Sequence, residues 1–397
     1  MKPAYVLAAL LASACAAPAV PVSPATVAAA PSVQAPPALS EESASAAAAE
    51  RLPIRGDGPQ EPTADKPLTR IAIGSCSEET EPLPILGAVA TLAPDLFLYV
   101  GDNVYGDAKA GDMSLPELKQ AYADLSMNAH FSAFNMATPI LATWDDHDYG
   151  VNDGGGDFAG KERAERLFET FWRDAALGGE HPGIYGSRTY GPPGQRVQVI
   201  MLDTRFFRSP LRRSDTPDAS GYRPYLPDAD PSKTMLGEAQ WAWLEAELRR
   251  PAEIRLLVSS IQILAEGHPF EAWKTLPSEQ ARLYRTIRES GARGLVLVSG
   301  DRHVAALYRR AGVAPYPLHE ITASSLNQAH VRSNAETGPH QLGPVYTPAN
   351  FGLVEIDWAA RRLDLTVRGM DGAPQRQRAL SFADIGLPPR VGAATSK

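Results

Sequence analysis

The chain has 397 residues, of which 38 are Lys or Arg and 46 are Asp or Glu, so its formal charge is -8 and its pI is near 5.6. This balance excludes the strongly basic surface of a nucleic-acid-binding protein, and we expect no nucleic-acid specificity. Hydrophobic residues make up 44% and charged residues 21%, values that exclude wholesale disorder and a protein with many membrane spans. Two cysteines are too few for a disulfide scaffold. The length allows one large α/β domain or two ordinary ones.

The first residues have the pattern of an export signal. Lys2 precedes an apolar stretch from Ala4 to Ala17, which is too short to span a bilayer but suits the hydrophobic region of a signal peptide. The run Ala12-Ser13-Ala14-Cys15 fits either an Ala-x-Ala cleavage site or a lipobox whose Cys15 is acylated. We therefore expect residues 1–15 to be a signal peptide or lipoprotein signal. The protein is then exported to the periplasm or cell surface, and a lipid anchor at Cys15 would be its contact with the membrane.

Composition also predicts the domain boundaries. Residues 16–66 are mostly Ala, Pro and Ser with few large side chains, so they cannot bury enough apolar surface to offset the entropy of ordering. We predict a disordered linker there, a folded domain over residues 67–388 and a flexible tail over 389–397.

Within the folded span, six short apolar or β-branched runs predict strands, with longer helical patterns between them. They are Arg70–Ile73, Leu96–Val100, Ile140–Thr143, Val197–Leu202, Ile254–Val258 and Leu295–Val298. Each run stops at polar or metal-capable residues. Because open α/β sheets gather ligands at the carboxyl ends of their strands, these side chains are expected to converge on one site.

The segments between and after these runs indicate an α/β arrangement. Residues 161–171 form one helical pattern closed by Trp172, and residues 237–250 form another with apolar residues on one face. Near the end, Gly352–Asp357 and Leu363–Val367 alternate in character around a short turn and predict a β-hairpin.

Two of the strand ends carry residues that favour a metal site. Asp145, Asp146 and Asp148 surround His147, and three adjacent carboxylates repel one another unless a cation or strong donors neutralise them. Cys76 alone fits a small buried hydrophobe, but in an exported protein a thiol at a strand end is also suited to bind metal as thiolate. Such a mixed donor set favours a redox-capable or Lewis-acidic ion beside harder ions such as calcium, and suggests phosphoester hydrolysis by a metal-activated hydroxide.

Four ordered motifs resemble the PhoD-like alkaline phosphatases, a branch of the metallophosphoesterases. They are Gly74-Ser75-Cys76, Gly101-Asp102-Asn103-Val104-Tyr105-Gly106-Asp107, Trp144-Asp145-Asp146-His147-Asp148-Tyr149-Gly150 with Asn152-Asp153, and Gly300-Asp301-Arg302-His303. The resemblance covers roughly Arg70 to Thr366. It implies a metallophosphoesterase-like four-layer α/β/β/α sandwich with a pair of central sheets.

The resemblance also implies a cluster of one ferric ion (Fe3+) and two calcium ions (Ca2+), although other divalent metals stay open. The implied iron ligands are Cys76, Asp102, Tyr105 and His303, with Asp102 bridging to a neighbouring ion. Asp146, Asn152 and Asp301 would serve the calcium side. His147 would contact the phosphoryl oxygen or protonate the leaving group. For phosphate binding, the candidates are Arg163, Arg166 and Arg205. Arg205 is equally suited to a structural ion pair with Asp203.

The predicted function is an exported, monomeric, metal-dependent phosphoesterase acting on phosphate esters. A phosphodiesterase or phospholipase of the D type would use the same cluster on a larger substrate. A surface lipoprotein that binds phosphate or metal without turnover is the alternative outside enzymes. Neither His330 nor His340 has ligand spacing, and we read both as surface residues of a polar rim or lid segment, Ser324–Asn350.

Overall fold

The computed structural model describes residues 52–109, 111–330 and 336–389. Its strands are β1 (Arg70–Gly74), β2 (Leu96–Val100), β3 (Ile140–Thr143), β4 (Gly186–Tyr190), β5 (Val197–Met201), β6 (Arg212–Arg213), β7 (Tyr225–Leu226), β8 (Ile254–Val258), β9 (Leu295–Ser299), β10 (Ala305–Arg310), β11 (Leu318–Ala323), β12 (Asn350–Asp357), β13 (Arg362–Gly369) and β14 (Pro374–Ser381). Its α-helices are α1 (Ile85–Thr91), α2 (Pro116–Met127), α3 (Ala129–Ala137), α4 (Asp146–Tyr149), α5 (Lys161–Trp172), α6 (Gly237–Leu248) and α7 (Pro277–Ser290). Short 3-10 helices cover Arg173–Ala175, Trp273–Thr275 and Phe382–Ile385.

The strands form two six-stranded sheets and a two-stranded β6-β7 ribbon. The first sheet has the order β14-β13-β12-β1-β2-β3, in which β1, β2 and β3 run parallel and β12 pairs antiparallel with β1. The second has the order β10-β11-β9-β8-β5-β4, with β5, β8, β9 and β11 parallel. The carboxyl ends of β1 to β3 and of β5, β8 and β9 therefore mark two edges that can supply one site.

Strand β2 shows why the sheets are sandwiched between helices. Leu96, Leu98 and Val100 point into the core shared by the two sheets, while Phe97 and Tyr99 point into the core beneath helices α1, α2, α3 and α5. Alternating side chains of one strand thus enter opposite cores, as the twofold periodicity of a strand requires.

The second sheet packs in the same way. Side chains such as Val199 and Leu256 enter the core between the sheets, whereas Ile200 and Leu257 pack with Trp241 of α6 and other residues of α6 and α7. Three apolar cores thus separate four layers, helices outside and sheets inside. The predicted α/β class with multiple sheets is confirmed.

The predicted elements agree closely with the observed ones. The six predicted strands are β1, β2, β3, β5, β8 and β9, with ends that differ by at most one residue. The two predicted helices are α5 and α6, and the predicted hairpin is β12-β13, which is longer than expected at both strands.

Residues that pack against the folded domain begin earlier than residue 67, the predicted start of that domain. Arg55 is buried, its backbone amide donates to the carbonyl of Phe171 at 3.2 Å, and its Nε donates to the carbonyl of Trp172 at 3.0 Å. Glu61 accepts a hydrogen bond from the hydroxyl of Tyr190 at 2.7 Å. Arg55 and Glu61, which fall in the predicted linker, therefore contact the folded domain, and the guanidinium of Arg55 supplies several donors for this contact.

Several predictions fall outside the described residues: the signal segment 1–15 with Cys15, most of the linker, and the tail from residue 390. Among the helices of the described part, none has the length and apolar character needed to cross a bilayer.

Candidate functional site

Polar side chains from both sheets meet where their parallel strands end. Cys76 follows β1, Asp102 follows β2, Asp146 follows β3, and Asp301 and His303 follow β9. Their possible ligand atoms form overlapping groups in which all atoms lie within 4.8 Å of one another. The groups are Cys76, Asp102 and His303; Asp102, Asp146 and His147; Asp145, Asp146 and Asp301; and Asp146, Asp153 and Glu271. Asp102 and Asp146 connect these groups into one cluster.

The backbone is strained at the cluster. Among the non-glycine residues of the described chain with positive φ are Cys76 (56°), Asp102 (50°), Asp153 (54°), Asp301 (67°) and His303 (55°). A left-handed conformation is uncommon for such residues and is retained where the surrounding structure enforces it, often at functional sites. After β1, β2 and β9 it turns the chain sharply and directs side chains towards a common centre.

The thiol, phenol and imidazole lie on one side of the cluster. The Sγ of Cys76 is 3.4 Å from Oδ2 of Asp102 and 3.1 Å from the hydroxyl of Ser324, and the hydroxyl of Tyr105 is 3.2 Å from Nε2 of His303. Burial raises the pKa of Cys76 to about 12 and, with the nearby acidic groups, also raises the pKa of Tyr105. Burial and the neighbouring His330 lower the pKa of His303 to about 3, so its imidazole is neutral, the form that binds metal.

The carboxylates lie on the other side and crowd one another. Burial, followed by the charges of neighbouring acids, raises the pKa of Asp102. Burial also raises the pKa of Asp301, although Arg302 opposes the shift. Oδ1 of Asp102, Oδ2 of Asp145 and Oδ2 of Asp301 are buried and have no hydrogen-bond partner among the described residues. Buried carboxylate oxygens are almost always satisfied, so the donor set fits bound cations.

His147 is held by two neighbours. Its Nδ1 lies 2.6 Å from Oδ2 of Asp107, and its ring centroid is 4.3 Å from that of Tyr105. Burial by itself lowers the pKa of His147, but the carboxylates of Asp146 and Asp107 overcome this effect and raise it to about 10. The contact with Asp107 fixes the orientation of the ring and leaves Nε2 for other partners.

Arg205 lies beneath the cluster, not in the open cavity. It is fully buried, its Nε donates to Oδ1 of Asp145 at 2.6 Å, and its guanidinium also pairs with Glu271. Glu271 is shared with Arg208. Asp203, the partner expected for Arg205, instead accepts the backbone amide of Arg205 at 2.8 Å and the indole N–H of Trp144 at 3.0 Å. This arrangement supports the structural reading of Arg205.

A cavity of about 820 Å³ opens onto the cluster. The predicted site residues that line it are Asp102, Asp146, His147, Asn152, Asp301 and His303. Cys76 and Tyr105 contact this set from below through Asp102 and His303. Within the described chain, Arg163 is not a lining residue, and its Nε donates to the carbonyl of Ser114 at 3.2 Å. The structure therefore assembles the predicted metal ligands and His147 but leaves Arg163 outside.

The cavity also contains residues that the sequence did not single out. Glu271, Tyr222 and Phe270 come from loops without a strand-end signal, and Arg302 was visible only as part of the motif around His303. His330 lines the cavity and stacks on His303 with ring centroids 4.2 Å apart. It is exposed, as predicted, but its place is the rim of the site.

Comparisons with known proteins agree with this geometry. The family described as PhoD-like phosphatase matches residues 71–361. Alkaline phosphatase D of Bacillus subtilis (strain 168) is 22% identical over 283 residues, which cover 62% of this chain and 47% of that protein. The chain thus spans about half the length of this curated relative.

A solved structure shows the shared fold. The structure of PhoD matches with a TM-score of 0.58 at 17% identity, covering 81% of this chain and 69% of that one. A 5'-nucleotidase precursor from Thermus thermophilus matches with a TM-score of 0.32 at 12% identity, covering 79% and 54%. The family match extends from the first strand through the site to the turn that follows β12, and the chain therefore belongs to the PhoD-like phosphatase family.

Proposed function

We propose that this chain is an exported, metal-dependent phosphoesterase that hydrolyses phosphate esters. The observation that carries the proposal is the convergence of Cys76, Asp102, Asp146, Asp301 and His303 beside one cavity, with buried carboxylate oxygens that lack protein partners among the described residues. Membership of the PhoD-like phosphatase family supports a phosphoric ester as substrate.

The donor set suits one ferric ion and two calcium ions. A thiolate, a phenolate, an imidazole and a carboxylate, supplied by Cys76, Tyr105, His303 and Asp102, fit a trivalent or redox-capable ion. Oxygen donors alone fit calcium, and Asp146, Asn152 and Asp301 would supply them, with Asp102 shared between the two sides. When bound, the cations would offset the charge of the phosphoryl oxygens and lower the pKa of a nucleophilic water.

His147 is the residue of this chain that would assist the leaving group. Its Nδ1 is engaged by Asp107 at 2.6 Å, so the ring presents Nε2 to the cavity. A proton held at Nε2 can pass to the alcohol oxygen as the phosphorus–oxygen bond breaks. Arg205 would contribute from below, because it balances the charge of Asp145 and Glu271 and so keeps their neighbour Asp146 in place.

Metal analysis of protein purified without chelator, together with a visible spectrum, tests the ligand assignment. We expect one iron and two calcium ions per chain and a charge-transfer band from a tyrosinate bound to ferric iron. Tyr105→Phe should abolish the band, whereas Tyr185→Phe, a buried tyrosine outside the cavity, should keep it. A colourless protein without iron would contradict the iron assignment.

Activity is tested with the two residues that join the predicted iron site. Cys76→Ala and Asp102→Ala should each abolish hydrolysis of a phosphomonoester and the bound iron. Glu289→Gln, on the exposed face of helix α7, serves as the control and should retain both. Full activity in either alanine variant would remove the basis of the proposal. Stoichiometric metal without hydrolysis in the unsubstituted protein would instead favour a surface lipoprotein that binds metal or phosphate.

The size of the cavity keeps a diester substrate under consideration. About 820 Å³ is far more than a phosphoryl group occupies, so a second substituent on phosphorus has room. A phosphodiesterase or phospholipase of the D type would use the same cluster. Comparing hydrolysis rates for a phosphomonoester, a simple diester and phosphatidylcholine separates these activities.

The N-terminal signal supports export, with lipid attachment at Cys15. Labelling with a radioactive fatty acid should mark the full-length protein in its native membrane fraction, and Cys15→Ala should remove the label. Release of unlabelled protein into the soluble exported fraction would indicate simple secretion, the reading in which Ala12-Ser13-Ala14 is a cleavage site.

A further inference from the structure

The cavity has an aromatic wall formed by Tyr222 and Phe270. Their ring centroids lie 5.0 Å apart at an interplanar angle of 46°, and both side chains are only partly buried. They line the same cavity as Asp102 and His147. Apolar ring surface is thus left open beside the acidic cluster, although neither ring takes part in it.

Phe270 is fixed at this position from two directions. It directly precedes Glu271, whose carboxylate is buried and paired with Arg205. The guanidinium of Arg302 lies 4.0 Å from the centroid of the Phe270 ring and is itself held by an ion pair with Glu336. Arg302 therefore backs the ring by a cation–π contact.

Tyr222 is tied to the opposite side of the cluster. Its backbone amide donates to Oδ1 of Asp218 at 3.1 Å, which closes the loop that carries it between β6 and β7. Arg213 lies 5.8 Å from the centroid of the Tyr222 ring and pairs with Asp153 at 2.6 Å. The two rings of the wall are thus positioned by groups that also hold the acidic residues.

Packing of the core does not account for the aromatic wall. Aromatic residues of the core such as Phe97, Tyr99 and Trp172 are fully buried, whereas the wall faces a cavity of about 820 Å³. This volume lies in the range that encloses a whole small-molecule ligand. Open aromatic faces can stack on a planar ring of a ligand, because every base or aryl group has a π-face.

We propose that the aromatic wall binds a planar aromatic group on the alcohol side of the substrate, so that the chain prefers phosphate esters that carry such a group. This inference rests on the proposed function, since it places the phosphoryl group at the acidic cluster. The ring of a nucleobase or an aryl group then lies against Tyr222 and Phe270. The contact acts on binding and leaves the chemistry of the ester unchanged.

Two ligand pairs that differ in the ring test the inference by calorimetry on protein purified without chelator. The first pair is the phosphonate analogues of adenosine 5'-phosphate and ribose 5-phosphate, and the second is those of benzyl phosphate and butyl phosphate. In each analogue a methylene group replaces the ester oxygen, so the proposed hydrolase cannot cleave it during the titration. We expect the aromatic member to bind about tenfold more tightly, a factor that corresponds to about 1.4 kcal/mol. Tighter binding in both pairs supports any planar ring, and tighter binding in the first pair alone supports a nucleobase.

Tyr222→Ala and Phe270→Leu should bring the ratio of the two dissociation constants towards one. Tyr346→Leu is the control, because Tyr346 is another partly buried tyrosine beneath an arginine, Arg376 at 5.9 Å, and does not line the cavity. Equal affinity within both pairs, binding of none of the four ligands, or an equal loss for both members in the variants would overturn the inference. The ratio of dissociation constants within a pair does not depend on whether the protein hydrolyses esters. A separate hydrolysis assay therefore shows whether the proposed function itself fails.

Discussion

Replacing Arg205 tests whether the protein balances the buried charge beneath the site. Arg205 is fully buried, donates to Oδ1 of Asp145 at 2.6 Å, pairs with Glu271 and lies 3.9 Å from Oδ1 of Asp146. The variant Arg205→Met keeps most of the length of the side chain but removes its charge and its donors. Asp145 then remains buried without its main counter-charge.

The expected loss follows from the partners that remain. Glu271 keeps its pair with Arg208, so one carboxylate, that of Asp145, loses its main partner. Removing one member of a buried ion pair costs about 3–5 kcal/mol, because the remaining charge is left unsolvated. We therefore expect Arg205→Met to lower the free energy of unfolding by about 3–5 kcal/mol. Adding Asp145→Asn removes the orphaned charge and should recover about 1–3 kcal/mol of that loss.

Urea unfolding in the presence of chelator, followed by tryptophan fluorescence, measures these differences without a contribution from bound cations. The control is Arg249→Met, because Arg249 and Glu245 form an ion pair at 4.0 Å whose side chains are 57% and 42% exposed. This exposed pair should contribute less than about 0.5 kcal/mol. A loss in Arg205→Met no larger than in the control, or no recovery in the double variant, would refute the argument and show that the acids are neutralised by protons instead.

Three further predictions concern catalysis, backbone geometry and pH. His147→Gln should reduce hydrolysis of alkyl phosphates by about 100- to 10,000-fold. It should affect hydrolysis of 4-nitrophenyl phosphate much less, since nitrophenolate leaves without a proton. Equal losses for both substrates would contradict the role of His147 as a general acid. In Gly101→Ala, where φ is 102°, the new Cβ would lie 2.5 Å from Cβ of Asp145. We expect a loss of about 2–4 kcal/mol in urea unfolding, against about 1 kcal/mol for Gly194→Ala, which has a similar φ and open space. Burial and nearby arginines lower the pKa of His319 to about 4 in the folded protein, whereas the unfolded chain binds this proton below about pH 6.5. The free energy of unfolding therefore falls as the pH drops from about 6.5 to about 4. Between pH 7 and pH 5 the parent protein should lose about 2 kcal/mol of stability that His319→Phe retains, and identical pH profiles would exclude His319 as the cause.

The positions of several candidate metal ligands could be predicted from the sequence because they lie just after strands that are buried on both faces. The apolar run Leu96–Val100, for example, can only be a central strand, and the glycine and carboxylate that follow it, Gly101 and Asp102, mark its end. The same pattern predicts that Cys76 and His303 lie just beyond the ends of β1 and β9. Parallel strands bring such ends together whatever the distance between them along the chain.

The remaining site residues depend on tertiary packing that no local pattern encodes. Glu271 pairs with Arg205, which lies 66 residues earlier, and its loop contains no strand signal. The spacing of His330 suggests no ligand and predicts a plain surface residue, yet its ring stacks on that of His303. Conversely, Arg163 has the charge expected of a phosphate-binding residue, but its position on helix α5 directs it to the carbonyl of Ser114.

The arrangement of the ligands follows from a break in strand geometry. In a continuing strand, successive side chains would point to opposite faces of the sheet, and residues from neighbouring strands would not converge. The left-handed residues Cys76 and Asp102 interrupt this alternation directly after β1 and β2, which brings Sγ of Cys76 within 3.4 Å of Oδ2 of Asp102. Asp301 and His303 do the same after β9 in the other sheet. Backbone strain and negative charge thus accumulate at the rim where the two sheets end. Bound cations are the ligands best able to offset this charge, because one cation can be contacted by several carboxylates at once.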